Sequence, residues 1–164
     1  MSRAVLSIGS NVGDRLGYLR ECVGLLGDAV HSVSPVYSTE PWGGVAQDEF
    51  LNAIVLVEDP NADAQEWLRR GQCCETVAQR SHNLRWGPRT LDVDVIDVEQ
   101  TRSDDPQLIL PHPRAHQRAF VLVPWRDVAP NAVLTGHGTV AELVAALPTS
   151  ERHSVRRRDD LALR

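Results

Sequence analysis

Lysine is missing altogether: all 17 basic residues of the 164 are arginine. A P-loop needs its lysine and a protein kinase needs the lysine of its third strand, so both are excluded. If this chain handles phosphates, it does so with guanidinium forks and metal ions. Cysteine is scarce, at three residues, with Cys73 and Cys74 adjacent. No histidine or further cysteine stands at ligand spacing from that pair, which makes it a poor zinc site and a poor disulfide framework. Reduced thiols on a helix are the reading. No apolar run approaches the roughly 20 residues of a spanning helix. The start, Met1 to Ile8, reads as a short strand and lacks the long apolar stretch of a signal peptide. The cytosol is the expected compartment, with no membrane partner. A net charge of −5 leaves no basic footprint and argues against a nucleic-acid partner.

What is present fits one domain over residues 1–164, large enough to bury a core. Ala4 to Ile8 reads as a first strand, and the cluster Gly9 to Gly13 as a tight turn, with Asp14 an N-cap. Leu16, Leu19, Val23 and Leu26 then recur at helical spacing, closed by Gly27. Val30 to Thr39 and Phe50 to Glu58 read as two strands of a hairpin. Ala62 to Gln79 reads as a second helix, with Trp67, Leu68, Gly71, Cys74 and Ala78 facing inwards and Gln72, Glu75 and Gln79 on another face. Arg80 to Pro88 is polar and irregular, and Thr90 to Val98 is a strand. The order strand, helix, strand, strand, helix, strand predicts an α+β, ferredoxin-like fold: an antiparallel sheet with helices packed on its faces. Beyond it lie Leu108 to Leu110, a Pro-His-Pro turn, an apolar segment from Phe120 to Val123, and a helix from Thr139 to Leu147. Residues from about 152 to 164 are expected as a flexible, solvated tail, its Arg156 to Arg158 run offset by Asp159 and Asp160.

The strongest local signal is Arg85-Trp86-Gly87-Pro88-Arg89-Thr90-Leu91-Asp92-Val93-Asp94. Asp92 and Asp94 stand two apart on a strand, so their carboxylates leave one face about 7 Å apart at Cα. Such a pair is costly unless a divalent cation neutralises it, and hard oxygen ligands favour Mg²⁺. An isolated Asp-x-Asp is also simply the polar face of an edge strand. Here Arg80, Arg85 and Arg89 lie upstream, and His112, Arg114, His116 and Arg118 downstream. Carboxylates for metals beside arginines for phosphate oxygens are the set that phosphoryl transfer uses.

This segment resembles the signature of the hydroxymethyldihydropterin pyrophosphokinase family. Further blocks agree in order: Ser7 to Asp14, Ser34 to Pro41 with Phe50 to Ala53, and Leu110 to His112 with Arg118 to Phe120. The resemblance runs from about Ala4 to Pro130. It implies Mg-dependent transfer of pyrophosphate from ATP to the hydroxymethyl group of 6-hydroxymethyl-7,8-dihydropterin in folate biosynthesis, with AMP released, by a monomer. It implies that Asp92 and Asp94 hold two Mg²⁺ ions and act in catalysis with Arg80 and Arg89. Thr39, Trp42, Phe50, Asn52, Trp86 and Phe120 match the pterin pocket. Gln72, Glu75, His82, Trp86, Arg89, His112 and Arg118 match ATP contacts, with residues 79 to 89 as a closing loop. The chain departs from the family in that loop, where Gln79-Arg80-Ser81-His82 places a histidine at an arginine position. The competing readings are another metal-dependent nucleotidyl or glycosyl transferase, for which the chain is short, and a non-catalytic ferredoxin-like binding module.

Overall fold

The computed structural model describes residues 2–39, 49–82 and 90–164, with side chains throughout except at positions 80–82. In chain order the elements are β1 (Ser2–Ser10), α1 (Arg15–Leu26), β2 (Val30–Val33), β3 (Tyr37–Thr39), β4 (Phe50–Asp59), α2 (Ala64–His82) and β5 (Asp92–Val98). They continue with β6 (Ser103–Asp105), β7 (Leu108–Leu110), α3 (Ala119–Val128), β8 (Val133–Leu134), β9 (Gly138–Thr139), α4 (Val140–Ala146), α5 (Thr149–Arg152) and β10 (Val155–Arg157).

The main sheet runs β10-β3-β4-β1-β5, with β2 also paired to β4, and every one of these pairings is antiparallel. This is the ferredoxin-like order the sequence predicts, with both helix layers present. Alternation along β1 sends Ala4, Leu6 and Ile8 to one face, where Leu19, Cys22 and Val23 of α1 and Trp67, Cys74 and Ala78 of α2 cover them. Ile54 of β4 and Ile96 of β5 face the other way, onto Val121, Leu122 and Trp125 of α3 and Val140 and Val144 of α4.

Local chemistry explains the boundaries. Asp14 caps α1 through its carboxylate, which accepts from the Gly17 N–H at 3.0 Å, and Gly27 ends it at φ 59°. Asp63 does the same for α2 by accepting from the Glu66 N–H at 2.8 Å. The expected single strand Val30 to Thr39 is divided. Pro35 cannot donate to a ladder, and the Ser34 hydroxyl instead accepts from the Ile54 N–H at 2.8 Å. The segment from Phe120 to Val123 is helical, inside α3. Helix α2 continues to His82, so Arg80 to His82, expected as irregular, are helical. Gly9 and Ser10 belong to β1, and within the expected turn cluster only Gly13 takes a positive φ, 67°.

The expectation of a solvated tail is corrected. Val155, Arg156 and Arg157 pair with Thr39, Ser38 and Tyr37 to form an edge strand. Leu163 is buried in the α1/α2 core, and the Arg20 side chain donates to the Ala162 carbonyl at 2.8 Å. The arginine run hid a strand because Arg156 and Arg157 both face solvent at an edge, where charge is tolerated.

Candidate active site

Strand register builds a row of side chains on the α3 side of the sheet. Asp92 stands opposite Gly9, Gly9 opposite Asn52, and Asn52 opposite Tyr37. The next row places Asp94 opposite Ser7 and Ser7 opposite Ile54. Gly9 and Ser7 are small residues on the central strand, so the sheet is left hollow between larger neighbours. A cavity of about 590 Å³ opens there, lined by Thr39, Phe50, Asn52, Asp92, Asp94 and Phe120 with Ser7 and Gly9. Arg114, Gln117 and Arg118 close it from the chain entering α3, and Glu151 and Ser154 from the C-terminal segment.

Asn52 is buried and its Nδ2 donates to Thr39 Oγ1 at 2.7 Å, across neighbouring strands. The Arg118 guanidinium lies over the Phe120 ring, 5.4 Å from its centroid. Asp94 pairs with Ser7 through the backbone, and its carboxylate makes no ion pair or hydrogen bond with another described residue. Among the described residues no group of three or more His, Cys, Asp and Glu side chains gathers as a metal cage. Two half-buried carboxylates on one strand face still suit Mg²⁺, which takes one or two carboxylates and completes its shell with phosphate and water.

Strand β5 carries a bulge that matters for this face. Leu6 stands opposite Val95 but Val5 opposite Asp97, so Ile96 is an extra residue and the alternation slips by one. Asp97 therefore turns to the α3 side, where its carboxylate accepts from the Thr135 N–H at 3.2 Å and hydroxyl at 3.0 Å. Burial pushes its pKa up, partly countered by those Thr135 bonds. The regular Asp-x-Asp-x pattern thus ends at Val95, and only Asp92 and Asp94 reach the cavity.

Other expected residues are placed differently. Glu75 is at the outer edge of β5, where its carboxylate accepts from the Val93 N–H at 3.0 Å; it is beside the aspartate strand but outside the cavity wall. Gln72 is exposed on α2, one turn before it. His112 is half-buried, follows a cis Leu110–Pro111 peptide and donates its backbone N–H to the Ile96 carbonyl at 2.8 Å. Burial lowers its pKa, with Asp94 pulling it up and Arg118 and Arg114 pushing it down. His112 therefore sits within the electrostatic reach of both halves of the site. Trp42, Trp86 and Arg89 lie outside the described residues, as do the side chains of Arg80 and His82.

Sequence reasoning missed five lining residues. The alternation of β1, with apolar Ala4, Leu6 and Ile8 on one face, already put Ser7 and Gly9 together on the other. Gln117 had only its position beside Arg118 to mark it. Glu151 and Ser154 had no local signal, because the pairing of β10 with β3 carries them to the cavity.

Paired carboxylates that share a cavity with guanidinium groups and aromatic rings suit the transfer of a phosphorylated group to a flat small molecule. In class, the fold and cavity are those of a small-molecule transferase. Comparison narrows this. The family model described as 7,8-dihydro-6-hydroxymethylpterin-pyrophosphokinase (HPPK) matches residues 5–130. Proteins named 2-amino-4-hydroxy-6-hydroxymethyldihydropteridine pyrophosphokinase are similar over most of their length. The one from Mycobacterium tuberculosis H37Rv is 49% identical, covering 95% of this chain and 89% of its own. That of Mycobacterium leprae is 50% identical over 95% and 88%, and that of Bacillus subtilis 39% over 76% and 77%. A solved Plasmodium falciparum HPPK-DHPS triple mutant with STZ-DHP superposes with a TM-score of 0.71 at 12% identity, over 95% of this chain and 46% of that one. The last likeness concerns the fold alone, and this chain spans under half of that protein. The chain belongs to the 7,8-dihydro-6-hydroxymethylpterin-pyrophosphokinase family, transferases of folate biosynthesis.

Proposed function

We propose that the chain transfers pyrophosphate from ATP to the hydroxymethyl oxygen of 6-hydroxymethyl-7,8-dihydropterin, in a magnesium-dependent reaction that releases AMP. The carrying observation is that Asp92 and Asp94 share one cavity with Thr39, Phe50, Asn52 and Phe120 and with Arg114 and Arg118. A bond forms between the alcohol oxygen and the β-phosphorus, and the bond from that phosphorus to the oxygen bridging to the α-phosphate breaks.

Each described residue has a role in this reading. Phe50 and Phe120 supply flat apolar surface for a pterin ring. Asn52, held by Thr39, offers both a donor and an acceptor to the ring edge. Arg118, assisted by Arg114, takes phosphate oxygens. Asp92 and Asp94 would hold two Mg²⁺ ions. Bound there, the metal supplies charge neutralisation and Lewis-acid polarisation of the phosphate oxygens. Glu75 fixes the edge of β5 and so the spacing of the aspartates, and Gln72 and His112 extend the nucleotide side beyond the cavity wall. Arg80, His82, Trp86 and Arg89 are assigned to ATP and its closing loop, and Trp42 and Trp86 to the pterin, on family resemblance alone. The same reading has the protein acting as a cytoplasmic monomer; no helix among the described residues is long and apolar enough to cross a membrane.

The test is an incubation with ATP, Mg²⁺ and the pterin, scoring nucleotides by chromatography for wild type and Asp94→Ala. Pterin-dependent AMP, lost in the variant and on chelation of Mg²⁺, is expected. ADP as product would mean transfer of the γ-phosphoryl group alone. A folded wild type that turns over nothing would make the protein a binding module.

A further inference from the structure

Glu151 lies well outside residues 5–130, the stretch shared with the family model, yet its side chain reaches the cavity. Its Oε1 accepts from the backbone N–H of Ala119 at 3.0 Å. Ala119 separates Arg118 from Phe120, the two residues that close the α3 side of the site. Helix α3 has no cap of its own, since Arg118 at the N-cap makes no side-chain hydrogen bond to the first turn. Its interior also contains Pro124, which cannot donate to the Phe120 carbonyl one turn earlier. The turn carrying both site residues is therefore short of bonds at each end. A carboxylate arriving from a remote segment supplies the missing cap and suits the positive end of the helix dipole.

The delivery of Glu151 is equally specific. Ser154 donates its hydroxyl to the Glu151 carbonyl at 2.6 Å and its N–H to the same oxygen at 3.1 Å. The next residue, Val155, pairs with Thr39, whose hydroxyl accepts from Asn52. One short stretch of chain thus ties the Phe120 wall of the cavity to the Thr39–Asn52 wall.

We propose that Glu151 is a positioning residue of this active site: it clips the Ala119 amide so that Arg118 and Phe120 are held together against the ligands. This rests on the pterin pyrophosphokinase reading for its kinetic consequences, though not for the clip itself. The substitutions Glu151→Ala and Glu151→Gln in the full chain test it, because a glutamine oxygen can accept the same bond without the charge.

Two readouts separate the possibilities. Hydrogen exchange at the Ala119 amide is expected to quicken at least about tenfold in Glu151→Ala, as befits loss of a charge-assisted bond, and to be largely protected again in Glu151→Gln. The KM for the pterin is expected to rise about tenfold in Glu151→Ala, with kcat changed less than about threefold, and Glu151→Gln to recover most of it. A glutamine variant as impaired as the alanine variant, or Ala119 exchange unaltered in Glu151→Ala, would overturn the proposal. A wild type that forms no AMP would sink the functional reading instead. The clip would then still be decided by exchange and by fluorescence titration of the pterin against the three proteins.

Discussion

Gly9 and Asn52 face each other across β1 and β4 so closely that a Cβ on Gly9 would stand 2.7 Å from Asn52 Oδ1. The glycine backbone is ordinary extended strand, so conformational freedom is not the reason for it. Space is: the Asn52 amide occupies the volume a side chain would take, and from there it reaches Thr39 Oγ1. Gly9→Ala should push Asn52 off Thr39, at an overpacking cost of about 1–3 kcal/mol. We expect pterin affinity to fall at least about tenfold, read by fluorescence titration. Unchanged affinity would mean that Asn52 does not need this position.

A second close approach lies on the opposite face. A Cβ on Gly71 of α2 would meet Val93 Cγ1 at 2.9 Å, and Val93 stands between the two site aspartates. Alanine improves helix propensity by up to about 1 kcal/mol, while overpacking against a buried valine costs about 1–3. Gly71→Ala should thus lower stability by roughly 1 kcal/mol in urea unfolding. It should also reduce turnover, because displacing Val93 moves Asp92 and Asp94 with it.

Alkaline stability should be governed by few groups. With no lysine in the chain, the tyrosine phenols stand out in the alkaline range. The Tyr37 phenol is pushed up from 10.0 to about 12, first by burial and then by its hydrogen bond to Asp127. The folded chain holds this proton more tightly than the unfolded chain. Its contribution is therefore complete below pH about 10 and is lost as pH climbs through about 12. Tyr37→Phe should cost about 1–2 kcal/mol at neutral pH and flatten the decline between those limits. Thermal unfolding across that range checks this, and an unaltered slope would count against it.

The C-terminal segment makes a further prediction. Deleting residues 153–164 removes β10, uncovers the edge of β3 and extracts Leu163 from the α1/α2 core. Burial of one leucine is worth about 1.5–3 kcal/mol, so the truncated chain should melt lower by at least that equivalent. An exposed strand edge should also favour association, visible by size-exclusion chromatography. A truncated chain as stable as the full one would return the segment to the status of a tail.

The core architecture was legible because its signals are local. Leu19, Val23 and Leu26 repeat at helical spacing and are buried on α1, and the period of two in β5 put Asp92 and Asp94 on one face. Where the reading failed, a distant partner had overridden a local pattern. The Ser34 hydroxyl bonded to Ile54 splits one expected strand into β2 and β3. The bulge at Ile96 turns Asp97 towards Thr135, which no alternation rule anticipates.

By itself, then, the sequence determined the fold class, the aspartate pair and the family, since periodicity, turn chemistry and ordered motifs are properties of neighbouring residues. Tertiary structure alone decided which small residues hollow the cavity, that Glu75 serves the edge of β5, and that Glu151 arrives at Ala119 from 32 positions away. The physical reason is register. Which side chains meet across strands depends on how the strands pair, and that is settled by burying the core on both sheet faces at once.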